Sequence, residues 1–113
     1  GHYGGFDRLA ASAVKEAKCF YPEVRLTLLV PYHPAERSNP APDGFDGTFY
    51  PPRMESVPHK VAIVRANRYV VDFVDYLIAY AWHPASNAWE LVEHAKRRAK
   101  KDALVITLIK PDD

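Results

Sequence analysis

Apolar residues recur at helical spacing in three segments of the chain. In residues 6–20 the apolar positions fall on one side of a helix, with Asp7 near its start and Lys18 near its end, as the helix dipole favours. Segments 59–73 and 86–101 show the same periodicity, and Pro58 precedes the first of them, where a helix can begin. The pattern therefore predicts three helices.

Three short, nearly continuous apolar runs alternate with these helices. They occupy residues 24–30, 75–81 and 103–109, and such runs are typical of strands covered on both faces. Helices that alternate with strands of this kind indicate a parallel sheet joined by right-handed crossovers. The predicted class is α/β, with the strand at 75–81 beside the strand at 103–109.

The segment between the first predicted strand and the second predicted helix is rich in proline. Residues 31–58 hold seven of the ten prolines of the chain, so the pattern predicts one long loop without regular structure. Loops of this length are usually functional lids or disordered segments, and the aromatic residues Phe45, Phe49 and Tyr50 argue against disorder.

The sequence contains neither an internal repeat nor a segment typical of a domain boundary. We therefore predict a single domain over residues 1–113.

Composition and charge indicate what kind of protein the chain is and which partners it can bind. The 113 residues are 48% hydrophobic and 26% charged, with a formal net charge of +1, which is globular usage without a broad basic field for nucleic acid. Since neither a bilayer-length apolar stretch nor a leader-like start is present, we expect no membrane partner and a cytoplasmic location. Cys19, the single cysteine, lies in a helical pattern and is expected to be a buried thiol without a catalytic role.

Two segments could bind an anion at or near a helix. Gly4 and Gly5 stand where the first helix begins, so that backbone N–H groups and the helix dipole could hold a phosphate, although such glycines often serve only a tight turn. Arg65, Asn67 and Arg68 lie within one helical turn just ahead of the second strand. These three residues can be interpreted in two ways. They either form a solvated helix face or bind a phosphate or carboxylate group at the carboxyl edge of the sheet.

A third segment joins the second strand to the third helix. Ser86 and Asn87 could cap this helix or line a phosphate site with its first amides. Glu90 could complement the helix dipole or face the ribose of a ligand, and it is the weak candidate for a catalytic residue. The five histidines are scattered without ligand spacing, so no metal site is predicted. The basic run 96–101 ends a helix, which favours a solvated, dipole-complementing end over a nucleic-acid surface.

Several motifs in this order resemble one known family. They are Gly4-Gly5-Phe6-Asp7 opening a helix, Pro31-Tyr32 after a strand, Asp46, Thr48, Tyr50 and Pro51 in the central loop, Val57-Pro58, and the Arg65–Arg68 box before a strand. Together they resemble the SLOG/DUF1273 branch of the Rossmann-like lysine-decarboxylase-like superfamily. The resemblance covers nearly the whole chain. It implies a Rossmann-like three-layer fold that binds a nucleotide or a nucleotide-derived signal.

The sequence departs from that family in two places. Relatives often place Gly-Gly where Ser86 and Asn87 stand here, and they carry a strand, a helix and a strand before the glycine turn that are missing from this chain. The implied strand order, 3-2-1-4-5, would put the missing pair in the middle of the sheet. Strand 24–30 would then need pairing from upstream residues or from another chain, so a homo-oligomer is a possible partner.

Three functions follow from these features. The favoured one is a sensor module that binds a nucleotide-like small molecule, and no particular cofactor is predicted. Because no group of residues forms a nucleophile with a general base, we expect binding rather than catalysis. The second is an N-glycosidic phosphoribohydrolase of nucleoside monophosphates that uses an arginine and Glu90, although the Pro-Gly-Gly-x-Gly-Thr-x-x-Glu box of such enzymes is replaced by His-Pro-Ala-Ser-Asn-Ala-Trp-Glu at 83–90. The third is a non-catalytic interaction scaffold.

Overall fold

The structure is a computed structural model that describes residues 5–33 and 41–110. The chain divides into two compact units, Gly1–Ser56 and Val57–Asp113. The sequence pattern predicts a single domain over the same residues. Among the described residues, no helix is both long and apolar enough to cross a bilayer.

The first unit begins with helix α1, Gly5–Phe20, which has Asp7 in its first turn and Lys18 in its last. The helix agrees with the predicted segment and ends two residues before Pro22, which cannot continue it. None of its residues is buried, and Cys19 is exposed. The prediction of a buried thiol is therefore wrong, because the side of α1 that carries Cys19 is not covered by the described residues.

Two short strands follow α1 among the described residues of the first unit. Strand β1, Thr27–Leu29, pairs in parallel with β2, Gly47–Phe49. The predicted long loop at 31–58 is thus interrupted by a strand, since its prolines flank Gly47–Phe49 without occupying it. The expectation that strand 24–30 finds no partner within the chain is also wrong, because β2 supplies one.

Asp46 joins α1, β1 and β2. Its Oδ2 accepts hydrogen bonds from Lys18 Nζ of α1 and from the backbone N–H of Leu26, each at 2.7 Å. The Asp46 N–H in turn donates to the Leu26 carbonyl oxygen at 2.7 Å. The hydrogen bond from Lys18 lowers the pKa of Asp46 most, and the hydrogen bond from Leu26 lowers it further, because both favour the charged carboxylate.

The second unit alternates helices and strands as the sequence predicts. Its elements are α2 (His59–Val71), β3 (Tyr76–Tyr80), α3 (Asn87–Ala99) and β4 (Val105–Ile109). Strands β3 and β4 are parallel neighbours, with Tyr76 opposite Val105 and Tyr80 opposite Ile109. The α/β class and the predicted pairing of these two strands are confirmed.

The core of the second unit lies on one face of the β3–β4 pair. Val71, Ala95 and Leu104 are buried there, and Leu77 and Ile106, which are opposite each other in the sheet, pack against them. On the other face Tyr76 is 74% exposed and Ile78 is 60% exposed. The expectation of strands buried on both faces is therefore wrong for this pair, because α3 covers only one side of it.

The C-terminal halves of α2 and α3 are joined by polar contacts. Arg98 Nη1 donates to the carbonyl oxygens of Val71, at 2.6 Å, and of Val74. His94 Nε2 lies 2.8 Å from Asp72 Oδ1. These contacts place the end of α2 beside the last turns of α3, at the amino end of β3.

Candidate functional site

The carboxyl ends of β3 and β4 meet at one edge of the sheet in the second unit. Tyr80 and Ile109 are opposite each other, so Ala81-Trp82-His83 and Lys110 leave the sheet at the same edge. Trp82 is 54% exposed, and its ring lies edge-on to His83, with 5.7 Å between the centroids. Open α/β proteins bind ligands outside the carboxyl ends of their strands, which makes this edge the candidate site.

The turn from β3 to α3 is closed by its own hydrogen bonds. The Ser86 hydroxyl donates to the His83 carbonyl oxygen at 2.8 Å and accepts from the Trp89 N–H at 3.1 Å. His83 Nδ1 accepts from the Ala85 N–H at 3.1 Å. Ser86 is therefore the N-cap of α3, and its hydroxyl already has both a donor and an acceptor role in the turn.

The start of α3 retains backbone donors at this edge. Asn87 is exposed and is the first residue of α3. The first N–H groups of a helix have no acceptor within that helix. Among residues 5–33 and 41–110, those of Asn87 and Ala88 have no other acceptor. Since the dipole of α3 makes this end positive, the turn is suited to a negatively charged group.

The predicted arginine box lies on α2. Arg65 is exposed, Asn67 and Arg68 are half-buried, and none of the three side chains makes a hydrogen bond or ion pair with the described part of the chain. Arg68 is one turn before Val71, whose carbonyl oxygen binds Arg98 near the end of α3. Arg68 therefore lies toward the amino end of β3, whereas Ser86 and Asn87 follow its carboxyl end.

The remaining predicted residues are dispersed. Gly4 lies outside the described residues, and Gly5 is the exposed first residue of α1, in the first unit. Glu90 is exposed in the first turn of α3, where a carboxylate complements the helix dipole. Of the predicted site residues, the structure thus brings together Ser86 and Asn87, with Glu90 one turn along α3.

Two residues of this edge were absent from the sequence-based site. Trp82 and Lys110 each follow the end of a strand closely, and that position alone could have indicated them. The prediction that the basic residues at the end of the third helix are solvated is wrong for Arg98. Its Nη1 is instead bound to two carbonyl oxygens, because α2 ends against this turn of α3.

In the described part of the chain, no group of three or more histidine, cysteine, aspartate or glutamate residues is arranged to hold a metal ion.

Comparison with known proteins does not narrow the possible functions of the chain. No family model, no curated protein and no solved structure matches the chain.

Proposed function

We propose that the chain is a binding module for a nucleotide or a nucleotide-derived ligand, held at the carboxyl edge of the β3–β4 pair. The observation that supports this most strongly is the convergence of Trp82, Lys110 and the start of α3 at one edge. Parallel strands and their following turns commonly carry ligand sites of this kind. The proposal concerns binding and does not require a catalytic group.

The three features at this edge offer complementary chemistry. The open face of the Trp82 ring can stack on a planar base, which contributes about 1–3 kcal/mol per base in other systems. The N–H groups of Asn87 and Ala88 can donate to phosphate oxygens, and the Lys110 ammonium can pair with the phosphate charge. A nucleoside monophosphate carries both a base and a phosphate, and it therefore suits the site.

We also propose, on the motifs given above, that the chain belongs to the SLOG/DUF1273 family and that its fold is Rossmann-like. The parallel pairing of β3 with β4 and the helix-strand alternation of the second unit agree with this assignment. The motif residues Asp46 and Pro31 have structural roles in the first unit: Asp46 bridges Lys18 and Leu26, and Pro31 is buried two residues after the end of β1.

Calorimetric titration with AMP, GMP, CMP and UMP tests the proposed function. We expect at least one of them to bind, with inorganic phosphate binding more weakly because it cannot stack on Trp82. Trp82→Ala and Lys110→Ala should each weaken binding about tenfold or more, the scale of one stacking contact or one charged hydrogen bond. Lys101→Ala removes an exposed cation beyond the other end of α3 and is the matched control.

Two results would overturn the proposal. One is that none of the four nucleotides binds, and the other is that Lys101→Ala weakens binding as much as Lys110→Ala does. Arg68→Ala in the same titration tests the sequence-based prediction for the arginine box. A loss of affinity in that variant would add α2 to the site, and an unchanged affinity would confine the site to the β3–β4 edge.

A further inference from the structure

The first unit has a carboxyl edge of its own, formed by β1 and β2. Leu29 is opposite Phe49 in the parallel pair, and the Val30 N–H extends the ladder by donating to the Phe49 carbonyl oxygen at 2.9 Å. Tyr32 and His33 therefore leave the sheet beside Tyr50. This is the position at which α/β proteins gather their ligand contacts.

Two aromatic rings meet at this edge. His33 and Tyr50 pack edge to face, with 5.4 Å between the ring centroids and 81° between the ring planes. His33 is exposed and Tyr50 is half-buried. Their contact forms an aromatic wall, the His33–Tyr50 wall, in which the His33 side chain is exposed.

Arg53 follows Tyr50 by three residues and has an unusual backbone conformation. Its φ is +64°, in the left-handed region that is unfavourable for a residue with a side chain and that glycine adopts freely. Pro51, two residues before it, is buried, and Met54, directly after it, is 4% exposed. These flanking residues anchor the turn, so the backbone of Arg53 is held in place while its side chain is exposed.

The Arg53 guanidinium is available to an external anion. It makes neither a hydrogen bond nor an ion pair with residues 5–33 and 41–110, although Glu55 is only two positions away. Three residues span at most about 10 Å, so the turn presents this cation within reach of a ligand lying against Tyr50. A guanidinium is suited to forked contacts with phosphate or carboxylate oxygens.

We infer that Arg53, His33 and Tyr50 form a second binding site, for a phosphate monoester whose phosphate is joined to a planar ring. Arg53 binds the phosphate, and the His33–Tyr50 wall contacts the ring. The site belongs to the first unit and involves none of the residues of the proposed nucleotide site. Either site can therefore fail without the other.

Phenyl phosphate is the probe, because it carries one phosphate and one ring. In an NMR titration of the full chain, we expect saturable shifts of the His33 and Tyr50 ring signals, with inorganic phosphate binding more weakly. Arg53→Gly should weaken phenyl phosphate binding at least about tenfold, the scale of a charged hydrogen bond. The same substitution should raise the melting temperature, because glycine accepts the positive φ without strain.

Controls separate this site from general charge effects and from the second unit. Arg25→Ala removes another exposed arginine of the first unit, just before β1, and should leave the affinity unchanged. Lys110→Ala should also leave it unchanged. The inference is overturned if the ring signals do not saturate, if Arg53→Gly binds as the parent chain does, or if Arg25→Ala loses as much affinity as Arg53→Gly.

Discussion

Replacement of Arg98 by alanine should destabilise the second unit more than any other loss of a cation from α3. Arg98 Nη1 donates to the carbonyl oxygens of Val71 and Val74, and its side chain is only 16% exposed. A hydrogen bond from a charged donor contributes about 1.5–3 kcal/mol, and a cation at the end of α2 also complements the helix dipole. Loss of both hydrogen bonds would therefore lower the free energy of unfolding by at most roughly 3–6 kcal/mol.

Part of that loss is offset. Arg98 Nε is buried without a hydrogen-bond partner among the described residues, and it lies 3.8 Å from Asp102 Oδ2, too far for a hydrogen bond. Removing a buried, unsatisfied donor is favourable by about 1–3 kcal/mol. The expected net destabilisation is therefore about 2–3 kcal/mol, or a fall in Tm of roughly 8–12 °C at about 4 °C per kcal/mol for a chain of this size.

Urea denaturation at pH 7, followed by circular dichroism, measures the effect. Arg97→Ala is the matched control, because Arg97 is the exposed neighbour on the same helix and should change stability by no more than about 0.5 kcal/mol. Arg98→Lys keeps the charge but loses the guanidinium geometry, and it should fall between the two. The reasoning is refuted if Arg98→Ala is as stable as Arg97→Ala.

Three further predictions concern single residues. Ser86→Ala should lower the unfolding free energy by about 1 kcal/mol, because the Trp89 N–H loses its acceptor; equal stability in urea would argue against the cap. Because the pKa of Asp46 is lowered in the folded state, its carboxylate stabilises the fold at neutral pH, and this contribution is lost as the pH falls through the folded-state pKa. The stability gap between the parent chain and Asp46→Asn should therefore shrink in acid, and a gap that does not depend on pH would contradict the Lys18 contact. Cys19, which is exposed, should react with a maleimide in the folded protein, whereas reaction only in denaturant would show it to be covered.

Hydrophobic periodicity predicted the second unit closely. Its two helices and two strands follow from apolar residues at helical spacing and from two short apolar runs, and their parallel pairing follows from the alternation of these segments. Periodicity could not show that one face of the pair is open at Tyr76 and Ile78. An apolar strand has the same sequence pattern whether or not a second layer covers it.

Long-range pairing in the first unit was beyond the sequence pattern. Strand β2 has only three residues, Gly47–Phe49, and it lies between proline-rich stretches that discourage regular structure. Its formation depends on pairing with β1, twenty residues earlier in register, and on Asp46, which bonds to Leu26 beside β1. Local propensity does not contain such tertiary contacts.

The candidate site was predictable only in part. Ser86 was recognised as a possible cap, because serine before an apolar periodic segment marks a helix start. Trp82 and Lys110 were overlooked because each is an isolated residue whose importance comes from the parallel register of β3 and β4. The role of Arg98 could not be predicted, because its partners, Val71 at the end of α2 and Val74 between α2 and β3, are more than twenty residues away in sequence.

Backbone amide NMR with AMP as the titrant tests whether a nucleotide binds at the carboxyl edge of the β3–β4 pair. If the nucleotide binds where Trp82, Lys110 and the start of α3 converge, the Trp82 indole N–H and the amides of Asn87, Ala88 and Lys110 should shift together with one saturation curve. Lys101, beyond the other end of α3, should not shift. Binding at this edge is excluded if AMP saturates the protein while these four residues stay unchanged, or if AMP produces no saturable shift at all.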